Sequence, residues 1–549
     1  MQKPIKYLKE SLFLLLLILL LVPSFFRMFK HGMYSTQDFH YFRFVEFDKC
    51  VRDFQIPCRW SSESGFGYGE PLFNFYTQLP YFLGEIFHLI GIPILDSLKI
   101  LFAFSLIGSG ITMYLLAKKI WKNSLGALIS AVLYVYAPYR AVDVWVRGAL
   151  PEALAFIIFP LIILKFEDFL EREKKKDLLL LGGLLAILIL THNLSLLLFT
   201  PFLVIWIIYK IILTKKFKLV WLLIASLTIP ISISAFYILP IFFESKFITL
   251  QATIREYFDF RGHFVDFYQL LISRFWGYGA SVFGPEDEMS LSVGHFQWIL
   301  PIMLIAIVSI KKKLRKYNNL IILIIIGWLT IFLTHNQSTF IWELVKPMAY
   351  IQFPWRFIGI SVFAFALSGG CFVNLIKKHQ IFFVSFMVFL IIIINFSFFR
   401  EDIWYKVTDN ELTSGEKWKV QTAASIKDYW PSYGPDVPTS YSPTDPKEGK
   451  LIEKTSNKII YSVTKKKLSE TVFPITYFPG WQAFSEGRVL DIYPSGRYGL
   501  IATKSLLKGE QIVIFRFSNT RIRTIGNVIS FVSLIIYFLL LRRIEKYEN

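Results

Sequence analysis

The feature that most constrains this chain is its series of long apolar runs. The first, SLFLLLLILLLVPSFF, begins at residue 11 and contains no charged side chain. A helix needs about 20 predominantly apolar residues to cross the hydrocarbon core of a bilayer. Because lipid offers no hydrogen bonds to the backbone, runs of this kind predict transmembrane helices. The sequence therefore indicates a polytopic α-helical membrane protein.

The basic residues indicate how the chain is oriented. The net charge is +19, and many Lys and Arg residues form short clusters between apolar runs. Short basic loops at alternate helix ends are typical of the cytoplasmic side. No DNA- or RNA-binding motif accompanies them, so we expect no nucleic-acid partner. The clusters lie at 118–122, 172–176, 215–218, 311–316, 377–378 and 542–543.

About twelve transmembrane helices with both termini in the cytoplasm place every basic cluster inside. The start, MQKPIKYLKE, resembles a signal peptide, but no small-residue cleavage site follows, so we expect an uncleaved first helix. The apolar stretch 75–92 is interpreted as surface or re-entrant helices. The predicted spans are 11–27, 98–117, 123–138, 152–169, 178–193, 194–213, 217–241, 297–310, 319–334, 356–376, 380–398 and 524–542.

The same topology puts loops 28–97 and 242–296 on the external face. Later runs such as KIIYSVTKK and TVFPITYFPGW alternate with a period of two between Gly and Pro residues, which predicts an antiparallel sheet or sandwich. The expected organisation is a membrane module (1–398), a small external β-sandwich-like domain (399–523), and a final helix with a cytoplasmic tail (524–549).

The first external loop carries the residues most suited to chemistry. Asp38 can accept a proton or hold a cation, and His40 can relay a proton. In an extended segment these two share a face, whereas in a helix His40 lies near Arg43. The alternative is a solvated loop with its own ion pair. Farther along the loop, Arg59, Trp60 and GFGYGEPLFNFY, with Tyr68 and Glu70, offer aromatic and polar groups for a sugar or lipid.

Arginines recur at the predicted external helix ends. A guanidinium can bind two phosphate oxygens at once, and for each arginine snorkelling to headgroups is an equal alternative. Together with a carboxylate and a histidine they predict a site for a lipid phosphate. The four are Arg140, Arg147, Arg274 and Arg356.

Three further residues have a binding role and a capping role as alternatives. His192 and Asn193, between two spans, either bind substrate or cap helix ends. Glu152 follows Pro151 at a helix start, where a carboxylate complements the helix dipole. We favour capping for Glu152, which can also pair with Arg147 across the turn.

The cysteines and metal motifs are less informative. Cys50 and Cys58 share the first loop, where a disulfide is possible if the loop meets an oxidising compartment; two cysteines alone are weak evidence, so we leave them unpaired. Cys371 lies in an apolar run and is interpreted as packing. No CxxC or HExxH arrangement supports a structural zinc site.

Several blocks resemble one family of membrane proteins. TQDFHYFRF, IPCRW, GYGEPLFNFYTQLPYF, VDVWVRGALPEALA, THNLSLL, IQFPWRF and YFPGWQAFSEGRVL look like the YfhO-like proteins of bacteria and archaea. Part of that group is catalogued as 6-pyruvoyl-tetrahydropterin synthase-related. The resemblance runs along nearly the whole chain, while the zinc-binding histidines of a soluble pterin synthase are missing.

The resemblance implies a GT-C glycosyltransferase, which takes sugar from a polyprenyl-phosphate carrier. It puts Asp38 in the position of the catalytic carboxylate, with His40 and Arg43 on matching motif positions. Gln37 stands where the familiar pattern has His. The implied partners are the lipid-linked donor, membrane lipids and a cell-envelope glycan, lipid or protein acceptor. No cofactor is required; Mg²⁺ or Mn²⁺ is optional because arginines can neutralise the phosphate.

Two other classes of function compete with a transferase. A transporter or flippase for a lipid-linked or anionic substrate would place charges deep within several spans, and few occur there. A non-catalytic envelope assembly protein explains the external strands but gives the first loop no role. Within FPGW, we expect a turn that buries Trp481.

Overall fold

The computed structural model describes residues 2–34, 38–249, 254–376, 378–423 and 429–548, without the side chains of 2–9, 38, 39, 547 and 548. The first half of the chain is helical, and its long helices follow the apolar runs. These helices are α1 (Gln2–Leu21), α2 (Asp38–Arg52), α3 (Leu72–Phe75), α4 (Leu79–Leu89), α5 (Ile94–Trp121), α6 (Ser124–Val135), α7 (Pro138–Ala141), α8 (Leu150–Arg172), α9 (Lys175–Thr191), α10 (Asn193–Thr214), α11 (Leu219–Ser226), α12 (Thr228–Ile233) and α13 (Ala235–Glu244).

The second half continues with helices until a β-rich region interrupts them before the last one. The helices are α14 (Phe267–Leu271), α15 (His295–Ile310), α16 (Asn318–Thr334), α17 (Thr339–Leu344), α18 (Ile358–Gly369), α19 (Phe372–Leu375), α20 (Gln380–Asn395), α21 (Asp409–Leu412), α22 (Gly415–Thr422) and α23 (Arg521–Glu548). The helical core forms where α5 packs against α6 and α8, and α16 against α18. At Gly126 of α6, a β-carbon would lie only 2.3 Å from the Gly370 carbonyl oxygen, so the absence of a side chain permits this close approach.

Within the described residues, six helical segments are long and apolar enough to cross a membrane. Counting two bent pairs as one span each, with bends of 51° and 79°, gives eight. The predicted number of twelve is therefore not confirmed. The six segments are Ile94–Trp121, Asn193–Thr214, Leu314–Thr334, Pro354–Leu375, Gln380–Phe398 and Arg521–Lys546.

The remaining predicted spans fall on helices that are short or carry several charges. The spans 11–27 and 297–310 correspond to the apolar helices Glu10–Ser24 and His295–Ile310, and α9 has 17 residues. Helix α8 is long enough, but it contains Glu152, Lys165 and Glu167. Between residues 75 and 92, the 11-residue α4 is too short to span about 30 Å at 1.5 Å per residue, in agreement with the sequence-based interpretation of this stretch.

The strands near the C-terminus form two facing antiparallel sheets. One has the order β3-β4-β10-β6-β7, and the other has the order β5-β9-β8. The ring of Phe473 in β5 lies 5.4 Å from that of Tyr461 in β4 and 4.7 Å from that of Phe515 in β10, which fills the space between the sheets. The strands are β3 (Gly449–Lys454), β4 (Lys458–Lys465), β5 (Thr471–Thr476), β6 (Trp481–Ser485), β7 (Arg488–Leu490), β8 (Tyr493–Ser495), β9 (Leu500–Thr503) and β10 (Gly509–Phe517).

The segment before the sandwich packs on the first loop. Strand β1 (Met33–Tyr34) pairs with β2 (Trp404–Tyr405), and Asp409 accepts a 2.7 Å hydrogen bond from the Ile94 backbone N–H. On α22, the ring of Trp418 lies 5.3 Å from that of Phe42 on α2. The sandwich itself therefore occupies 449–517, while 404–422 covers α2.

The first loop is largely ordered by its own cross-link. Cys50 and Cys58 form a disulfide, so the expectation that they are unpaired is wrong. Two cysteines eight residues apart do not by themselves indicate a pair, because the pairing depends on the turn that brings the end of α2 and Cys58 together. Cys371 is buried as predicted.

Candidate functional site

Four chain segments that are far apart in sequence meet at one end of the helical core. They are the start of α2, the link between α7 and α8, the turn between α9 and α10, and the segment leading into α18. The side chains of Arg147, Arg356 and His192 lie within electrostatic range of the Glu152 carboxylate. The side chains of Arg43 and His192 lie within electrostatic range of the His40 imidazole. The structure thus joins six of the predicted site residues in one buried polar cluster.

Arg147 occupies the centre of this polar cluster. It follows a single π-helical turn, Val142–Val146, of a kind that often occurs at functional positions. Its Nη1 lies 2.5 Å from Asp143 Oδ1 and its Nη2 lies 2.9 Å from Glu152 Oε2. The guanidinium also stacks over the Trp355 ring at 4.5 Å. These contacts hold the Arg147 guanidinium group in one orientation.

Glu152 is held from a second side. The Tyr139 hydroxyl donates a 2.7 Å hydrogen bond to Glu152 Oε1. The carboxylate sits in the first turn of α8, where the helix dipole favours a negative charge. The predicted pairing with Arg147 is confirmed. Helix α8 has no side-chain cap hydrogen bond, so the favoured capping interpretation is not confirmed.

Arg356 differs from Arg147 in its partners. Its Nη1 donates to the Ile351 carbonyl oxygen at 2.7 Å and to Gln352 Oε1 at 3.2 Å. Among the described residues it forms no ion pair with a carboxylate, and its Nε is buried without a hydrogen-bond partner. Among the side chains that the structure describes, the guanidinium groups of Arg140, Arg147 and Arg356 lie near the carboxylates of Asp143 and Glu152, so three cations face two anions. The cluster is suited to a further anion.

His40 lies on the first turn of α2 and is 2% exposed. Its Nδ1 is 2.9 Å from the Tyr81 hydroxyl, and the Leu150 backbone N–H donates to its Nε2 at 3.3 Å. Burial, with the positive charge of Arg43, lowers the pKa of His40 well below its usual range. The Arg43 guanidinium in turn stacks over the Tyr76 ring at 4.0 Å. Burial therefore favours the neutral imidazole, and both of its ring nitrogens have polar partners.

Asp38 and Gln37 fall at the margin of what the structure describes. The backbone of Asp38 begins α2, two residues before His40, while its side chain lies outside the described part of the chain, as does Gln37. The catalytic assignment of Asp38 stays a prediction.

The turn between α9 and α10 contributes one of its two candidates to the cluster. His192 Nδ1 lies 2.7 Å from the Ser195 hydroxyl, and His192 makes no side-chain cap for α10. Asn193 is the first residue of α10, and its side chain is exposed.

Another set of predicted residues lies at the β-sandwich instead. Arg59 donates to the Phe236 carbonyl oxygen and to Asn527 Oδ1, both at 2.9 Å, and so ties the first loop to α13 and α23. The ring of Trp60 lies 5.3 Å from that of Trp481, which is buried as the FPGW turn predicted. Tyr68 accepts through its carbonyl oxygen from Thr476 N–H.

Glu70 also belongs to this second region. It is fully buried, and its backbone pairs with that of Ser61 across a short bridge. Because these contacts fasten the first loop to the sandwich and to α23, the loop divides into a half at the polar cluster and a half at the sandwich.

The sequence analysis overlooked several residues of the cluster. Asp143 and Tyr139 were not singled out, although Asp143 stands four residues before Arg147, the spacing of neighbours on a helix. Tyr81 lies in the apolar stretch 75–92, where a lone hydroxyl gives no signal. The loop 242–296 contributes His263, whose Nδ1 lies 3.2 Å from the Ser281 hydroxyl, and Ser281 accepts from Trp355 Nε1 at 2.9 Å.

An apolar groove of about 650 Å³ is lined by α23, from Asn527 to Leu534, and by residues that include Leu79 and Leu190. Helix α4, which contributes Leu79 to the groove, also carries Tyr81, and Leu190 lies near the end of α9, directly before the turn that carries His192. Its lining is almost entirely apolar, as expected of a site for a hydrocarbon chain.

The described residues contain no group of three or more His, Cys, Asp or Glu side chains that could hold a metal ion. This search does not include the Asp38 side chain. An optional Mg²⁺ or Mn²⁺ stays a prediction.

Comparison with known proteins gives a family match. Residues 73–403 match the family described as 6-pyruvoyl-tetrahydropterin synthase related domain, membrane protein. No curated protein matches this chain.

Among solved structures, the arabinofuranosyltransferase AftD from Mycobacteria is 14% identical, with a TM-score of 0.39, over 70% of this chain and 26% of that one. The Archaeoglobus fulgidus oligosaccharyltransferase in its apo form is 13% identical, with a TM-score of 0.39, over 72% of this chain and 56% of that one. The present chain spans less than two thirds of either protein, and likeness at this level does not bear on function.

Proposed function

This chain belongs to the 6-pyruvoyl-tetrahydropterin synthase related family of membrane proteins, and we propose that it is a GT-C-type glycosyltransferase. It transfers a sugar from a polyprenyl-phosphate donor to an acceptor in the cell envelope, on the external face of the membrane. The observation that carries the proposal is the polar cluster itself, in which three guanidinium groups face two carboxylates beside His40.

The phosphate and the prenyl chain of the proposed donor each have a suitable binding region in the protein. The phosphate binds at Arg356 and Arg147, because the Nε donor of Arg356 is buried without a partner in the described chain. The prenyl chain occupies the apolar groove between α23 and Leu190. A phosphate carries its charge into a buried site only where cations and hydrogen bonds compensate for lost hydration.

The chemistry is a direct displacement at the anomeric carbon. Asp38 takes the proton of an acceptor hydroxyl while the acceptor oxygen forms a bond to the anomeric carbon. The bond from that carbon to the phosphate oxygen breaks, its electrons go to the polyprenyl phosphate, and Arg147 and Arg356 stabilise the leaving charge. One displacement inverts the anomeric configuration. His40, kept neutral by burial and held by contacts with Tyr81 and the Leu150 backbone N–H, positions the first turn of α2.

The test uses purified protein in lipid with radiolabelled polyprenyl-phosphate sugars and an envelope extract. We expect Asp38→Asn to lower sugar release from the carrier by about 10²–10⁴-fold, the usual contribution of a general base. Asp436→Asn is the control, since Asp436 is an exposed partner of Arg497 on the far side of the sandwich. Full activity in Asp38→Asn would refute the assignment of the base.

The same assay separates the rival classes of function. A wild-type protein that binds a donor without consuming it, and whose Asp38→Asn variant binds it equally well, is a carrier or an assembly protein. If a chelator abolished donor consumption and Mg²⁺ or Mn²⁺ restored it, the site would require a metal ion.

A further inference from the structure

A second cavity lies between the first loop and the β-sandwich. It has a volume of about 330 Å³, within the range of about 300–1,000 Å³ typical of small-molecule sites. Its walls come from the first loop, from α22, from the loop before β3, and from strands of both sheets. Its lining includes Glu63, Phe66, Trp418, Tyr441, Lys454 and Tyr461.

The backbone around Phe66 builds one wall of this cleft. The Phe66 N–H donates to the Thr422 carbonyl oxygen at 3.0 Å, and the Phe66 carbonyl accepts from Ser442 N–H at 2.8 Å. Phe66 has φ = 57°, in the left-handed region that side chains other than glycine rarely adopt. A backbone conformation of this kind persists only where the surrounding structure holds it in place. Three separate chain segments are thereby fixed around one opening.

The lining combines aromatic faces with neutralised polar groups. The rings of Phe66 and Tyr441 meet edge to face at 5.3 Å, and Tyr441 is 42% exposed. Lys454 Nζ lies 3.1 Å from Glu63 Oε1 and donates to the Gly67 carbonyl oxygen at 3.0 Å. Lys419 is paired with Glu416. The cations at the cleft are thus already matched by carboxylates.

These properties select one class of ligand. A lipid chain needs an apolar lining, and a phosphate needs surplus positive charge; the cleft provides neither. A sugar ring has C–H faces that stack on aromatic rings and hydroxyls that bond to carboxylate and ammonium groups. We propose that this cleft binds an uncharged oligosaccharide, which serves as the acceptor.

The position of the cleft links it to the polar cluster, and this step rests on the proposed function. Trp418 borders the cleft and packs at 5.3 Å against Phe42, which adjoins Arg43 on α2. Lys49, two turns farther along α2, lies 4.8 Å over the Trp418 ring. Trp418 therefore connects the cleft with the helix whose first turn carries Asp38 and His40.

The experiment measures binding of free disaccharides to the full-length protein in lipid nanodiscs. Saturation-transfer NMR with cellobiose, maltose and chitobiose reports ring protons that touch the protein. We expect at least one of the three to bind, and Tyr441→Ala to weaken that binding about fivefold or more through loss of the stacking face. Glu63→Gln, a change of charge without a change of size, weakens it as well.

Tyr350→Ala is the matched control, because Tyr350 is 44% exposed and lies outside the cleft. It retains wild-type binding. The proposal is overturned if none of the three disaccharides binds, or if Tyr441→Ala binds them as tightly as the control does.

Donor consumption measured on the same preparation keeps the two proposals apart. Disaccharide binding without donor consumption refutes the transferase and leaves a carbohydrate-binding cleft. Donor consumption without disaccharide binding refutes the cleft and leaves the transferase.

Discussion

Arg147 and Glu152 form an ion pair across the turn that precedes α8, with Nη2 2.9 Å from Oε2 and both side chains almost fully buried. Asp143 and Tyr139 complete the arrangement from the preceding π-helical turn and from α7. The pair therefore joins two helices at the point where the donor phosphate is proposed to bind. Both stability and binding depend on it.

Replacing Glu152 by Gln should destabilise the protein. Removal of one partner from a buried ion pair leaves an uncompensated charge and costs about 3–5 kcal/mol of unfolding free energy. Thermal unfolding followed by tryptophan fluorescence measures the loss. The control is Glu416→Gln, which breaks the exposed pair with Lys419 and should cost at most about 1 kcal/mol. Equal losses in the two variants would contradict a structural role for the buried pair.

Replacing Arg356 by Lys should weaken donor binding while the positive charge is kept. The ammonium lacks the Nε donor that is buried without a partner in the described structure. A lost charge-assisted hydrogen bond is worth about 1.5–3 kcal/mol, or roughly 10- to 150-fold in Kd. Binding of a labelled polyprenyl-phosphate sugar measures it. Arg400→Lys, an exposed arginine, is the control, and unchanged binding in both variants would remove Arg356 from the phosphate site.

His40 should make the protein less stable in acid. Burial, with the nearby charge of Arg43, lowers its pKa below the ordinary value of 6.5, so the unfolded chain binds a proton that the folded protein excludes. The stabilising contribution is complete above pH 6.5 and is lost as the pH falls below it. For this one group, the free energy of unfolding falls by at most about 1.4 kcal/mol per pH unit.

The measurement is the unfolding temperature of wild type and His40→Gln between pH 7.5 and 5. The variant should show a shallower decline. His379→Gln, at an exposed ring, should follow the wild-type profile. If the unfolding temperature of His40→Gln declined with pH as steeply as that of the wild type, the acid sensitivity would come from other residues.

The Cys50–Cys58 disulfide should stabilise the end of α2. It closes a loop with a sequence separation of eight residues, for which chain entropy predicts about 2–3 kcal/mol. A reductant should therefore lower the unfolding temperature of the wild type. The Cys50→Ala/Cys58→Ala variant should already be less stable and should not respond to reductant; a response from the double variant would assign the effect to something other than this bond.

The class of protein was predictable because it depends on local properties. Apolar runs predicted the long helices, and alternation of polar and apolar residues predicted the strands of the sandwich, since each pattern reports which side chains face lipid, core or water. The pairing of Glu152 with Arg147 was also predictable, because five residues separate the two. The number of spans was not, because α8 carries charges and α9 and α15 are short.

What tertiary structure alone decided is which distant residues meet. Arg147 and Arg356 lie more than two hundred residues apart, and no periodicity connects them, yet they surround the same carboxylate. Conversely, Arg59 lies near His40 in sequence but binds α13 and α23, because the disulfide and the turn after α2 send the chain towards the sandwich. Local sequence patterns indicate whether a side chain faces lipid, core or water. A site depends on helix packing, which brings together residues whose contact no local pattern in the sequence predicts.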